Sequence, residues 1–416
     1  MKKSLFPVLF FLFLALALCA CAAAAPTEAE PTAADLPYPA GAEGLQSATV
    51  YPASPVQTTP DASGSTETPT EVPPDGLPLY SLRMFPNGQG WAADWNHSAL
   101  YHSSDGGLTW TDVSPADVLA GASGGYYSFF LSGNTAWLSV PVFENSILLR
   151  TTDAGTTWNS TSLDFPAGNP QFLDGSNGFL FSRLDAAAGS EYVALYQSSD
   201  GGATWEQRFS HEAGQADPDL PTGGQKTGFV FPDLNNGWVS GSEPINDFVY
   251  LFRSYNSGVN WFLVDLILPD GVTDAAIESF PPVFFSPTDA VLPLRVYLSD
   301  GSARSWFYQT ADGGETWTFR SEANPAAQQF VFADALNWLL LGESGFYRSR
   351  DGGASWEELS TGLPAGFTPL ALDLSDANNG WMLAAADGDS SMNSNFLFHS
   401  ADGGLHWELL PARIAD

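Results

Sequence analysis

The residues of this sequence that could do chemistry are concentrated in an eight-residue stretch, 103–110, that the chain repeats. The stretch reads SSDGGLTW, a carboxylate among hydroxyl side chains and two glycines, followed by an indole. A carboxylate in such a setting could bind a cation or move a proton. Six further copies begin at Thr151, Ser198, Ser254, Thr310, Ser349 and Ser400.

The third position of each copy carries the group that would do this chemistry. From the first copy to the last, the third residues are Asp105, Asp153, Asp200, Asn256, Asp312, Asp351 and Asp402. One carboxylate in each turn, without further acidic ligands at fixed spacing, does not form a cation cage. A turn also accepts Asn256, whereas a catalytic site would lose its carboxylate there. We therefore expect a structural role for this position, and no metal or other cofactor.

The pattern is typical of a hairpin turn. Asp or Asn before Gly indicates such a turn, because the Asx side chain caps its own turn and Gly takes the positive φ. Hydroxyl groups at the first and seventh positions can add bonds to the backbone. The eighth residue opens the next strand with a large apolar face. These eighth residues are Trp110, Trp158, Trp205, Trp261, Trp317, Trp356 and Trp407.

The spacing of the copies predicts the fold. Successive third positions lie 39 to 56 residues apart, and about forty to fifty residues make one four-stranded propeller blade. An apolar run and a pair such as Gly90-Trp91 precede the stretch, so the first unit would hold strands at about 79–85, 91–94, 99–102 and 109–113. We predict an all-β fold: a single seven-bladed β-propeller of four-stranded antiparallel blades, with the repeated stretch between strands three and four.

The repeated stretch resembles the Asp box, or BNR repeat, of β-propeller proteins such as bacterial sialidases, sortilins and photosystem II assembly factors. Together with the Gly-Trp pair it is similar to the repeat of the photosystem II stability and assembly factor family, over Leu79 to about Pro411. The resemblance implies a propeller. It does not imply one function, because Asp boxes occur in enzymes and in binding proteins, and no family-specific site residue is carried across with it.

Closure of the propeller is expected to need no exchanged strand. Each blade contacts only its neighbours, so the first and last blades must meet. The first unit begins with its own first strand and the last ends with its own fourth. We therefore expect closure by packing alone; a strand from after Leu405 in the first blade would contradict this.

Function on such a scaffold is expected on loops. The loops between strands two and three, and those between blades, would ring one mouth of the channel, with the Asp boxes on the opposite side. The longest predicted loops are 185–191, 211–228, 243–247, 269–280 and 386–395. Segment 387–391 could hold a cation, but it lacks the fuller oxygen set of a calcium loop. An acidic mouth is predicted from Glu243, Asp247, Asp270, Asp274, Glu278, Asp387 and Asp389.

The resemblance to sialidases supplies an enzymatic alternative. Such enzymes clamp a substrate carboxylate with three arginines and use a Tyr nucleophile, a Glu and an Asp. Arg83 lies in a segment, 82–86, that only loosely matches the motif of their first arginine, and Arg183 and Arg295 are the remaining candidates. A glycosidase with two facing carboxylates is a further alternative, because an acidic chain can bring two carboxylates together.

Other motifs of chemistry are missing from the sequence. It has no Gly-rich phosphate loop, zinc-type Cys/His cluster or Ser nucleophile elbow. Trp95, Tyr297 and Trp306 lie outside the repeat positions and could stack on sugars or fill space between blades. The histidines are scattered, and we expect structural roles for them: His97, His102, His211, His399 and His406.

The charge balance narrows the partners. The sequence has 14 basic and 47 acidic residues and a formal net charge of −33. Nucleic acid and anionic membrane surfaces both require clustered Lys and Arg, so neither is an expected partner. We interpret the acidity as a source of solubility outside the cell.

The N-terminus predicts a lipid anchor. Residues 1–20 combine a basic start with an apolar run that is short for a membrane span, which is typical of a signal peptide. Leu18-Cys19-Ala20-Cys21 resembles the bacterial lipobox, and this resemblance implies lipidation of Cys21. Ordinary cleavage within Ala22–Ala25, giving a secreted protein, is the alternative.

The remaining chain divides into a tether and the propeller. Residues 26–77 hold ten prolines and no Lys or Arg, and such a composition cannot bury enough apolar surface to fold. We predict a disordered tether at 21–77 and the propeller at 78–413. The expected protein is a monomeric, lipid-anchored propeller of the bacterial cell envelope that binds a protein or glycan without catalysis; a sialidase-like or other glycoside hydrolase is the alternative.

Overall fold

The computed structural model describes residues 76–187, 189–211, 219–324, 326–342, 345–359, 364–389 and 394–415. All of them belong to the second of two compact units, Pro69–Asp416. Cys21, the predicted signal peptide and nearly all of the predicted tether lie outside these residues. Within them, no helix is long and apolar enough to cross a membrane.

The described residues are almost entirely β-structure, which confirms the all-β prediction. The first strands are β1 (Ser81–Met84), β2 (Gly90–Ala93), β3 (Leu100–Ser103) and β4 (Thr109–Asp112). A single-turn helix, α1 (Ala116–Leu119), precedes β5 (Tyr127–Phe130), β6 (Ala136–Val142), β7 (Asn145–Thr151) and β8 (Asn159–Leu163). The next sheet consists of β9 (Gly168–Phe172), β10 (Gly178–Ala187), β11 (Ser190–Ser198) and β12 (Glu206–Ser210).

The second half of the chain continues the pattern. Strands β13 (Gln225–Val230), β14 (Gly237–Ser242), β15 (Leu251–Ser254) and β16 (Phe262–Leu263) are followed by β17 (Ala276–Ser279), β18 (Val283–Phe284), β19 (Ala290–Tyr297), β20 (Ala303–Thr310) and β21 (Thr318–Ala323). The last sheets are β22 (Gln329–Phe332), β23 (Trp338–Leu341), β24 (Phe346–Ser349) and β25 (Glu357–Leu359), then β26 (Phe367–Leu374), β27 (Gly380–Ala386), β28 (Asn395–Ser400) and β29 (Glu408–Leu409). The chain ends with β30 (Arg413–Ile414).

These strands form antiparallel groups in sequence order. We number them group one (β1–β4), group two (β5–β8), group three (β9–β12), group four (β13–β16), group five (β17–β21), group six (β22–β25) and group seven (β26–β29). Groups four and five form one nine-stranded sheet through a single bridge between Ser242 and Glu278. Strand order inside the other groups is consecutive.

The core of the described residues lies between the groups. Seven apolar clusters are present. Six of them join consecutive groups, and the remaining one joins group seven to group one. The tryptophans that open the second strands, such as Trp91 and Trp137, are fully buried in these clusters. Burying such a side chain contributes about 2–3 kcal/mol, so these tryptophans stabilise the contact between neighbouring sheets.

Closure from the last group to the first corrects our expectation of packing alone. Strand β30 pairs in parallel with β4, the outer strand of group one. Leu77, before β1, pairs with Asn395 at the start of β28 in group seven. The N-terminal end of the described chain therefore pairs with group seven, and its C-terminal end pairs with group one. The physical reason is that the outer edge of β4 has free backbone groups, and the residues after β29 reach them while burying Ala412.

Side chains reinforce this closure. The Trp381 Nε1 of group seven donates a hydrogen bond to the Gly106 carbonyl of group one at 2.9 Å. The Asp373 carboxylate accepts bonds from Arg83 Nη1 at 2.8 Å and from the Met84 amide at 2.6 Å. Burial raises the pKa of Asp373, while the nearby Arg83 guanidinium opposes this rise.

Three predicted loops contain strand. Strand β13 begins at Gln225 within segment 211–228, and β17 lies within segment 269–280. Segment 185–191 was expected to be a long loop, but β10 continues to Ala187 and β11 begins at Ser190. A β-bulge between Arg183 and Asp185 lets the hairpin continue, and the tight turn includes Gly189 at φ 85°. The hairpin therefore projects beyond the rest of its sheet.

The C-terminal strand yields a stability prediction. Ile414 is partly buried against the cluster that joins groups seven and one, whereas the neighbouring Arg413 is exposed. We expect Ile414→Ser to lower the free energy of unfolding by about 1–2 kcal/mol, and Arg413→Ser to change it by about 0.5 kcal/mol or less. Urea unfolding monitored by tryptophan fluorescence measures both. Equal stability of the two variants would show that β30 does not stabilise closure.

Candidate functional site

The predicted site residues at the third position of each Asp box are engaged within their own turns. The first-position hydroxyl donates to the third-position side chain, as Ser103 Oγ does to Asp105 Oδ1 at 2.9 Å. The seventh-position amide donates to the same oxygen in all seven boxes, at 2.9–3.0 Å. The fifth-position amide donates to the first-position hydroxyl at 2.8–3.0 Å. Each third residue therefore caps a turn.

The box also binds the neighbouring turn of its own group. In all seven copies, the amide of the fourth position donates to a backbone carbonyl at 2.7–3.0 Å. The carbonyl lies in the turn that precedes β2, β6, β10, β14, β19, β23 or β27. The Gly106 amide, for example, donates to the Gly88 carbonyl at 2.9 Å. The fourth and fifth positions have positive φ throughout, and Ala154 and Ser257 occupy the fourth position in two copies at φ 60° and 59°. The loops between second and third strands consequently lie at the other end of each group.

The box with Asn256 keeps the same geometry without a charge. Its Oδ1 accepts from the Ser254 hydroxyl at 3.1 Å and from the Asn260 amide at 2.9 Å. Its Nδ2 donates to Asn260 Oδ1 at 2.9 Å. The seventh position thus changes together with the third, so that a carboxamide pair replaces the pair of hydroxyl and carboxylate.

The eighth-position indoles have no single hydrogen-bonding role. Trp110 and Trp205 donate to the carbonyl of the fifth position in their own boxes, at 2.9 and 3.1 Å, and Trp158 donates to the Val113 carbonyl at 2.9 Å. Trp356 makes a long bond of 3.5 Å to Ser321 Oγ. The buried Nε1 atoms of Trp261, Trp317 and Trp407 have no hydrogen-bond partner among the described residues. Packing of the ring is therefore the shared role.

The end of the molecule opposite the boxes carries a polar cluster of the buried Glu191 and Lys226 and the partly buried Arg183. The Glu191 carboxylate accepts from Arg183 Nε at 2.6 Å and from the Lys226 amide at 2.7 Å. The Lys226 ammonium donates to the carbonyls of Glu191, Thr222, Gly223 and Gly224 at 3.0–3.3 Å. Burial lowers the pKa of Lys226 to about 8, against the opposing charges of Glu191 and Glu243.

This polar cluster borders a cavity of about 340 Å³ between groups three and four, lined also by Ala186, Ser190 and Gln225. A lysine with a lowered pKa is a candidate nucleophile in many enzymes. Here the ammonium is enclosed by four carbonyls and its residue is 2% exposed, so it shapes the cavity wall. Sequence reasoning missed this cluster, although Lys226 is the only lysine beyond the first three residues.

Arg295 occupies the position in β19 that Arg183 occupies in β10, five residues after the strand begins. Its Nη1 donates to Glu278 Oε2 at 2.7 Å, and its Nη2 donates to the Ala327 carbonyl at 2.8 Å. Arg183 likewise donates to the Lys226 carbonyl of the following group at 2.7 Å. Both arginines therefore bind the entry of the next group.

The three candidate arginines share no partner. Arg83 pairs with Asp373 across groups one and seven and lies close to the turn before Gly90, at the end of the molecule that carries the boxes. Arg183 and Arg295 pair with Glu191 and Glu278 at the other end of their groups. The described geometry does not unite them into a clamp for an anionic substrate.

Some of the residues predicted to form an acidic mouth accept hydrogen bonds from the protein itself. Asp247 accepts from the amides of Asp274 and Ala275 at 3.0 and 2.9 Å. Asp387 accepts from the Thr368 hydroxyl at 2.9 Å. No group of three His, Cys, Asp or Glu side chains that could hold a metal ion occurs among the described residues. Residues 390 and 391 of the predicted cation segment, 387–391, lie outside the described residues.

The other aromatic and histidine candidates are mostly structural. Trp306 is 2% exposed in the core between groups four and five, whereas Trp95 and Tyr297 are about half exposed. His102 Nε2 contacts the Gly133 carbonyl at 2.8 Å, and burial lowers its pKa. His406 and Asp402 form a box pair at 2.6 Å.

A family profile matches the first part of the described residues. The sequence profile of the family described as photosynthesis system II assembly factor YCF48 matches residues 79–220. No curated protein matches the sequence significantly.

Solved structures match over most of the described residues. The structure "YCF48 bound to D1 peptide" is 16% identical with a TM-score of 0.50, covering 79% of this chain and 95% of that chain. YCF48 from Cyanidioschyzon merolae is 16% identical with a TM-score of 0.48, covering 78% and 95%. A PL25 ulvan lyase bound to -[GlcA(1-4)Rha3S]- is 12% identical with a TM-score of 0.50, covering 81% and 96%. At these identities the likeness concerns the fold.

The boxes generate a prediction about acid stability. Hydrogen bonds from the Ser355 hydroxyl and amide lower the pKa of Asp351 to about 2, from an ordinary value of 3.8. A carboxylate with a depressed folded pKa stabilises the protein above pH 4 and loses this contribution as pH falls from about 4 to 2. We expect Asp351→Asn to weaken the acid dependence of unfolding and Asn256→Asp to strengthen it.

The measurement is the urea midpoint at pH 5, 4, 3 and 2 for the wild type and both variants. At pH 5 Asp351→Asn should stay folded, because Asn256 already fills this position in another box. Identical acid dependence in all three proteins would exclude the box carboxylates as its source.

Proposed function

On the premise that the chain is a BNR-type β-propeller, the fold that its matches share, we propose that it is a non-enzymatic binding or assembly scaffold of the bacterial cell envelope. Its groups one to seven are then seven blades, with the Asp box between strands three and four of each, where β17 and β18, which both pair with β19, together count as the first strand of the fifth blade. The seven boxes and the seven apolar clusters between groups support this blade number.

The observation that carries the proposal is the use of the arginines. A sialidase-like enzyme needs arginines whose guanidinium groups are free to bind a substrate carboxylate. Arg83, Arg183 and Arg295 are each bound to a carboxylate of the protein at 2.6–2.8 Å. The box carboxylates are likewise occupied by their own turns. The polar groups of the described residues thus hold blades together, and a cavity shaped by them can receive a ligand without chemistry.

The class of ligand follows from the cavity and from the fold. The cavity beside Arg183, Glu191 and Lys226 presents a mixture of backbone, amide and hydroxyl groups, which suits the polar backbone of a protein segment. A propeller of this fold, YCF48, is known with a bound D1 peptide. We therefore propose a protein segment as the ligand, with a glycan as the competing class.

The lipid anchor completes the proposal. Cys21 would carry the lipid, residues 21–77 would act as the tether, and residues 78–413 would form the propeller. Each buried CH₂ of an acyl chain contributes about 0.8 kcal/mol to membrane binding, so several chains would hold the protein at a membrane surface. The protein would work as a monomer outside the cytoplasm.

The binding proposal is tested by photo-crosslinking the full chain in a detergent extract of bacterial envelopes, in parallel with a glycan array and a fluorogenic sialoside assay. Ala186 lines the cavity and is exposed, so Ala186→Trp should fill it and abolish the crosslinked protein adduct. Leu108→Trp, at an exposed position of the first Asp box, is the matched control and should keep the adduct. Sialoside turnover that Arg83→Ala abolishes would overturn the scaffold proposal.

The anchor is tested by two cysteine variants of the full chain. We expect metabolic labelling with an alkynyl palmitate analogue in the wild type and in Cys19→Ser, and no labelling in Cys21→Ser. Intact-mass spectrometry of the mature protein should place the modified residue at its N-terminus. A mature chain that starts between Ala22 and Ala25 without a lipid would replace the anchor with secretion.

A further inference from the structure

The outer strand of group four differs from other outer strands of the protein. Outer strands with free edges usually carry charged residues that prevent further pairing. Strands β8, β12, β21, β25 and β29 contain Asn, Ser, Thr, Glu or Arg at exposed positions. Strand β16 consists only of Phe262 and Leu263, whose side chains are 55% and 51% exposed. Its edge therefore presents two exposed apolar side chains and no polar one.

A groove with both apolar and charged side chains in its lining adjoins this strand. It has a volume of about 320 Å³ and lies between β16 and the Asp box of group five. Tyr255, Phe262, Ile267 and Trp317 contribute to its walls, and Ile267 is 86% exposed. Apolar side chains exposed side by side, rather than singly, are typical of a binding surface.

A buried arginine lies in the wall of the groove. Arg253 is 4% exposed and its guanidinium is stacked between the rings of Trp238 and Tyr255, at 4.7 and 4.2 Å. Its Nη2 pairs with Glu315 at 3.0 Å, but Nε and Nη1 have no hydrogen-bond partner among the described residues. Buried donors without acceptors are costly, and Glu315 balances the charge of Arg253 within the protein.

The protein itself shows how such an edge is used. Strand β4 follows the first Asp box as β16 follows the fourth, and β4 accepts β30 as an added strand. The Arg413 amide donates to the Leu108 carbonyl at 3.0 Å, and the Ala415 amide donates to the Trp110 carbonyl at 2.7 Å. Among the described strands, none pairs with the free edge of β16.

We propose that the edge of β16 and its groove bind an extended segment of another protein, added as a strand, with large apolar side chains and a Lys or Arg. The apolar side chains would contact Phe262 and Ile267. Of the two exposed carboxylates at the groove, Glu315 pairs with Arg253, whereas Asp265 has no ion pair among the described residues, and a cationic side chain complements Asp265. A second copy of this chain is disfavoured, because it would oppose the same carboxylates and a further net charge of −33.

This surface is distinct from the cavity beside Lys226 and goes beyond the proposed function. The test is a selection from displayed random heptapeptides on the full wild-type chain, with counter-selection on Phe262→Ser. We expect enrichment of proline-poor sequences that combine aromatic or branched apolar residues with Lys or Arg. The best peptide should bind Phe262→Ser at least tenfold more weakly than the wild type. Phe143→Ser, at another exposed phenylalanine, is the matched control and should bind like the wild type.

Two further measurements decide the mode of binding. A peptide N-methylated at alternate amides should lose binding at least tenfold if it pairs as a strand, and Leu263 should gain amide protection from hydrogen exchange when the unmodified peptide binds. The proposal is overturned if the selection enriches no peptide or enriches acidic peptides. It is also overturned if the best peptide binds Phe262→Ser as tightly as the wild type, or if N-methylation leaves its affinity unchanged. Concentration-dependent dimerisation that Phe262→Ser removes would assign the edge to a second copy instead. Ala186→Trp should leave peptide binding unchanged, so failure here is separable from failure of the proposed function.

Discussion

One backbone hydrogen bond underlies the architecture: the amide at the fourth position of each Asp box donates to a carbonyl in the neighbouring turn. It ties the hairpin of the third and fourth strands to the turn before the second strand of the same group. The bond requires a left-handed backbone at the fourth position, which is why glycine fills it in most copies while Ala154 and Ser257 adopt φ near 60°. Every group is therefore fixed at this end by the same backbone bond.

Local features of this protein could be predicted from the sequence, and long-range ones could not. The boxes and the Gly-Trp pairs predicted the strands of the first unit to within about two residues, because turn chemistry and apolar alternation act over short distances. The pairing of β30 with β4 escaped prediction, since two residues, Arg413 and Ile414, carry no periodicity. The Arg83–Asp373 pair spans 290 positions and leaves no local signal. The extension of β10 to Ala187 depended on a bulge that the composition does not reveal.

The scarcity of basic residues shapes what the protein can do. Lys226, Arg183 and Arg295 bind carbonyls and carboxylates inside the protein, mostly at the junction with the following blade. These basic side chains therefore stabilise the fold, and the charge that faces solvent is predominantly negative. The wall of the groove beside β16 repeats this division, because its arginine is buried while Asp265 and Glu315 face solvent. Recognition by such a surface selects cationic or neutral partners.

The crossing of the chain ends determines how the fold bears mechanical load. Leu77 is held to Asn395 of the last blade by two backbone bonds of 2.7 and 2.8 Å, while β1 belongs to the first blade. Tension that enters from the N-terminal side reaches Leu77 before it reaches β1. It must therefore strain the seam between the last and first blades before it can peel away a single strand. A protein pulled from this end would resist first at the contact between groups seven and one, and extraction of β1 would come second.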